Sequence, residues 1–128
     1  MNTKHDNPYA ALEKLFHEPA RLAITSALCQ NEEGYAFGDL KKACNLTDGN
    51  LNRHLKVLEA ANAVHIVKKN EKGSRPQTRV YLSENGRNDF LAYLQVLEEV
   101  LLKAAEALHV PAPAQHLDLG GMQGAPAT

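Results

Sequence analysis

The chain has 128 residues, of which 44% are hydrophobic and 23% charged, and its net charge is -1. That length holds one domain with an arm or tail and excludes two full cores, and the composition excludes a wholly disordered chain. No apolar run approaches the roughly 20 residues that span a bilayer. The first six residues lack a secretory apolar stretch, and two cysteines are too few for a disulfide scaffold, so a reducing, cytoplasmic setting is expected.

The near-neutral total hides a segregation of charge. Residues 1–35 carry net -2, residues 36–83 carry net +5 and residues 84–128 carry net -4. A basic middle between acidic flanks is an electrostatic footprint that the whole-chain pI of 6.6 conceals.

In chain order, Pro8 suits a first helical turn, and Leu12, Leu15 and Phe16 give a short helical face over Tyr9–Phe16. A second helix is expected over Ala20–Cys29, with Leu22, Leu28 and Cys29 near its inner face. Tyr35-Ala36-Phe37 is a short extended entry. A third helix follows over Phe37–Cys44, with Leu40, Ala43 and Cys44 inward. Thr47 can cap a fourth helix, and Asp48 lies in its first turn, where negative charge is favoured. Leu51, Leu55 and Leu58 form one stripe of that helix, about Asp48 to Ala61, and Asn62 can end it.

The period then changes. Val64–Val67 is rich in β-branched residues, and Thr78–Leu82 alternates. The polar stretch between them contains Gly73 and Pro76, which predicts a β-hairpin. Ser83 can cap a last, long helix over about 84–108. Phe90, Leu94, Leu97, Leu101, Ala104 and Leu108 form a heptad seam along it. The expected organisation is a flexible N-terminus at 1–8, a folded domain at 9–108 and a flexible tail at 109–128 rich in Pro and Gly.

The expected fold class is mainly α with a small β-hairpin (α+β), on a winged helix-turn-helix plan with a long C-terminal dimerisation helix. Such a plan reads duplex DNA with a helix whose free face carries hydrogen-bonding and cationic groups, and holds phosphates with a cationic hairpin. The candidate DNA-facing residues of the fourth helix are Thr47, Gly49, Asn50, Asn52, Arg53 and Lys56. Those of the wing are Lys68, Lys69, Lys72, Arg75 and Arg79, against a single acid, Glu71. Phe90, Leu94, Leu97, Leu101 and Leu108 are the candidate dimerisation residues.

The run from Phe37-Gly38-Asp39-Leu40 through Leu46-Thr47-Asp48-Gly49-Asn50-Leu51-Asn52-Arg53-His54-Leu55 to Leu58-Glu59-Ala60-Ala61-Asn62-Ala63-Val64 resembles bacterial and archaeal winged-helix regulators. So do His17-Glu18-Pro19-Ala20-Arg21-Leu22-Ala23-Ile24 and Arg75–Arg87. The chain is similar to the small MarR/ArsR-like winged-helix DNA-binding family over about residues 9–100. That resemblance implies a homodimeric transcriptional regulator whose terminal helices form the dimer. There are departures: Asn52 stands where many members have Ser, Asn62-Ala63 where they have Gly plus a larger apolar residue, and Ser83 where Thr is usual.

The expected function is therefore a sequence-specific regulator that binds double-stranded DNA, a homodimer that represses by occupancy. The alternatives are a winged helix that binds another protein without reading DNA, and a version of the regulator that responds to a small-molecule effector or to redox. His54 is expected to be a packing histidine, and Cys29 and Cys44 inert core thiols. No nucleophile–base pair, metal-ligand spacing or Gly-rich phosphate loop is visible, so no enzyme activity, metal site or cofactor is expected.

Overall fold

A computed structural model describes residues 8–70, 73 and 75–111. Most of the two segments expected to be flexible, and the wing cation Lys72, lie outside them. The elements are α1 (Pro8–Phe16), α2 (Pro19–Cys29), β1 (Tyr35–Ala36), α3 (Phe37–Cys44), α4 (Asp48–Ala60), β2 (Val64–Lys69), β3 (Gln77–Leu82) and α5 (Glu84–Ala107). The strands form one antiparallel sheet in the order β1-β3-β2. The hairpin register pairs Val64 with Leu82, Ile66 with Val80 and Lys69 with Gln77. The extended entry before α3 becomes a third strand, because Tyr35 and Ala36 pair with Val80 and Arg79.

Local chemistry sets the breaks. Asn45 takes a left-handed conformation (φ 56°) at the end of α3, and Asn62 does the same (φ 61°) after α4. Asparagine tolerates that region better than other side-chain-bearing residues. Asn62 thus fills the role that glycine has in the resembling family. Gly34 (φ 77°) turns the chain into β1, where a Cβ would stand 2.5 Å from the Val80 carbonyl oxygen.

The core gathers Phe16, Ile24, Leu28, Leu40, Leu51, Leu55, Leu58, Val64, Val80, Phe90 and Tyr93. The α4 stripe is the one expected. The inner face of α2 differs: Ile24, Thr25 and Leu28 are buried, whereas Leu22 and Cys29 are only half-buried. In α3, Leu40 is buried and Ala43 is exposed, since an eight-residue helix resting on α2 and the sheet covers only a narrow stripe.

The largest difference lies in α5. Its first three turns bury Gly86, Phe90, Leu91 and Tyr93. Phe90 meets Phe16 edge-on at 5.1 Å between ring centres, and Tyr93 meets Phe16 at 5.7 Å. Phe90 therefore belongs to the chain's own core and not to an exposed seam. Tyr93, absent from the Leu-based heptad, is fully buried because its hydroxyl finds His17 Nδ1 at 2.6 Å. Leu94 and Leu97 are half-buried against the core, while Leu101 is 55% and Leu108 71% exposed.

Candidate nucleic-acid interface

Thr47 caps α4. Its hydroxyl accepts a hydrogen bond from the Asn50 amide at 3.1 Å, which satisfies one orphan donor of α4. The Lys41 ammonium lies 2.8 Å from Asp48 and ties α3 to that first turn. Leu51, His54, Leu55 and Leu58 face inward. The opposite side leaves Gly49, Asn50, Asn52, Arg53 and Lys56 exposed, in agreement with the helical periodicity.

That outward side divides into two rows. Gly49, Asn52 and Lys56 line an open cleft of about 790 Å³, whose far wall is Lys68 and Thr78 of the hairpin, with Phe37, Leu55 and Ile66 as its floor. Asn50 and Arg53 form the second row. Arg53 Nη2 donates to Asn50 Oδ1 at 3.0 Å, so the guanidinium is held over its neighbour in the free protein. Apart from its chain neighbours and the backbone of its own helix, a Cβ at Gly49 would meet no atom within 4 Å, so the start of α4 is open to close approach by a partner backbone.

In the wing, Lys68, Lys69 and Arg75 are exposed. Arg79 is placed differently. Its Nε donates to the Glu33 carbonyl oxygen at 2.8 Å and its Nη2 to that of Gly34 at 3.2 Å. It ties β3 to the turn before β1 and is a strap within the fold, where the sequence suggests a phosphate ligand. Arg79 pairs with Ala36 of β1, which sets it beside the turn that leads into that strand.

Composition alone carries no sign of three contributors. Thr78 enters the cleft only because β3 sits beside β2, and Asp48 and Glu59 put negative charge at its rim. His54 is buried, as expected of a packing group. Its neutral state is favoured, since burial pushes it below the usual histidine range, with Arg53 and Arg21 adding to the effect and Glu18 opposing it. Burial likewise raises the thiols of Cys29 and Cys44, which suits unreactive side chains. Among the described residues, no helix is long and apolar enough to cross a membrane.

A short helix, a tight turn, a second helix with a polar outward face and a hairpin flanking it together define a winged helix. The chain belongs to the winged helix DNA-binding domain family, which it matches over residues 20–101. It is 40% identical over 81 residues to an uncharacterised protein of Methanocaldococcus jannaschii, covering 63% of this chain and 86% of that one. Among solved structures, it is similar to a transcriptional regulator homologue from Pyrococcus horikoshii, with 28% identity and a TM-score of 0.63, over 73% of this chain and 92% of that one. It shares its fold with a MarR-family transcriptional regulator from Enterococcus faecalis (19% identity, TM-score 0.68), over 86% of this chain and 97% of that one.

Proposed function

We propose that this chain is a sequence-specific regulator of transcription that binds double-stranded DNA as a homodimer and represses by occupying its site. The observation that carries the reading is the cleft between α4 and the hairpin, which sets Asn52 and Lys56 opposite Lys68. Amides and cations on such a helix fit the edges of bases in a major groove, and the hairpin lysines fit the flanking phosphates. Asn50, Arg53, Lys69 and Arg75 extend the same surface, and Thr47 and Gly49 shape its entrance. The kinship with a transcriptional regulator homologue points the same way.

The dimer has its own support. The distal half of α5 leaves Val100 52% and Leu101 55% exposed on one small chain, and its C-cap Leu108 is 71% exposed. A helix of 24 residues is about 36 Å long, and its end runs past the core that its first turns cover. Apolar surface of this kind is covered in a stable assembly. Two reading helices then meet successive major grooves about 34 Å apart on a near-palindromic site. The site proposed for a small-molecule effector is the cleft of Leu12, Leu15, Val57 and Ala61, which Lys14, Arg21 and Asp89 also line.

Selection of bound sequences from a random duplex pool tests the reading. The expected result is a pair of related half-sites about one helical turn apart. A pool that enriches no sequence, from a protein that retains its fold, overturns it in favour of a protein-binding winged helix.

A further inference from the structure

Three helices meet at one guanidinium. Arg21 of α2 donates from Nε to the Leu15 carbonyl oxygen at 2.7 Å and from Nη2 to that of Lys14 at 3.3 Å, both near the end of α1. Its Nη1 lies 3.0 Å from Nδ1 of His54, on the reading helix α4. A guanidinium has no lone pair to offer, so Nδ1 must accept, and the proton of a neutral His54 sits on Nε2. Glu18 Oε1 stands 3.8 Å from the same Nδ1. That is too long for a hydrogen bond, yet near enough to attract a proton placed there. One buried ring nitrogen thus faces a donor that needs it bare and an acceptor that needs it protonated.

We propose that His54 Nδ1 is a proton-operated latch: bare, it accepts from Arg21 and pins α4 to the end of α1; protonated, it turns to Glu18, frees that arm of Arg21 and weakens the grip of α4 on duplex DNA. The output of the latch rests on the DNA-binding reading above, whereas the latch itself does not. The step takes up one proton from solvent and breaks no covalent bond. Arg21 is the positioning residue, acting on DNA through His54.

The groups that face the ring are Glu18, the N-cap of α2, Arg21 from α2 itself and Arg53 from α4. Lys14 of α1 and Asp89 of α5, of opposite charge, line the cleft beside Arg21. Burial and the two arginines oppose protonation of His54, whereas Glu18 favours it. The native value therefore lies below that of the unfolded chain. The latch is fully closed above about pH 6.5 and opens as pH falls through the native midpoint.

Nitrogen-15 NMR of the ring is the direct test. At neutral pH it should show a bare Nδ1 and a protonated Nε2. Glu18→Gln should move the titration midpoint lower, and Arg21→Met should move it higher. Duplex affinity of the wild-type protein should fall on the order of five-fold or more as the pH is taken below the midpoint. His54→Asn keeps an acceptor near the Nδ1 position and cannot titrate, so it should lose that dependence. A protonated Nδ1 at neutral pH, a midpoint unmoved by Glu18→Gln, or a pH profile of binding that His54→Asn leaves unchanged overturns the latch. Should His54→Asn fail to fold, the two midpoint shifts decide alone. Should no duplex be bound at any pH, the regulator reading falls, and the NMR result still decides the latch.

Discussion

Gly86→Ala is the substitution whose outcome is most tightly set by the structure. In an open helix this change stabilises by about 1 kcal/mol, because alanine is the better helix former. Here the sign reverses. A Cβ at 86 would lie 2.8 Å from both the carbonyl carbon and the Cα of Ala63, and closer still to the oxygen. Carbon–carbon contact is comfortable from about 3.5 Å, so the first turn of α5 must retreat by roughly 0.7 Å or more. Retreat strains the Ser83 amide's bond to the Ala63 carbonyl oxygen (3.0 Å) and the Ser83 hydroxyl's bond to the Asn62 carbonyl oxygen (2.6 Å). Overpacking costs about 1–3 kcal/mol and a broken hydrogen bond about 1, so after the gain in propensity the net loss is about 1–3 kcal/mol. Urea unfolding followed by far-ultraviolet circular dichroism measures it, and the midpoint of thermal unfolding should fall by about 4 °C or more. Gly38→Ala is the control, since no neighbour lies within 4 Å of a Cβ there. Gly86→Ala as stable as wild type, alongside a normal Gly38→Ala, refutes the reasoning.

Three further outcomes are expected. Arg53→Ala should weaken binding to a selected site by about 1–3 kcal/mol in a gel-shift titration, and much less to unrelated duplexes. Its effect should not add to that of Asn50→Ala, because the two side chains are hydrogen-bonded. Replacing Lys68 and Lys69 by Ala should weaken all duplexes alike and flatten the log–log salt slope by about 0.9 for each phosphate no longer neutralised; an unchanged slope would place the wing away from the backbone. Arg79→Met should lower stability by about 1 kcal/mol through removal of the strap and leave the salt slope intact, whereas a flattened slope would return Arg79 to the phosphates.

Periodicity makes the helices and the hairpin legible, because each element shows its own repeat. Leu51, Leu55 and Leu58 mark a helix that packs on one side only, and Val80 marks the inner face of a strand. The outward face of α4 follows from the same spacing. What stays hidden depends on partners far off in sequence. Tyr93 is core because His17, 76 residues earlier, satisfies its hydroxyl. Arg79 reads as a wing cation until the turn at Glu33 and Gly34, 45 or more residues away, is seen to take its donors. The Leu heptad misplaces Phe90 for a related reason. A seam repeats evenly along a helix, whereas α5 meets the core with its first turns and runs clear of it with its last.

The strand order carries one more consequence. β2 lies at the margin of the sheet, paired with β3 on one side. A margin of this kind invites another chain to add itself, unless charge discourages it. Lys68 and Lys69 occupy the exposed end of β2, so the lysines proposed to face phosphates also put positive charge where edge-to-edge pairing with another chain would start.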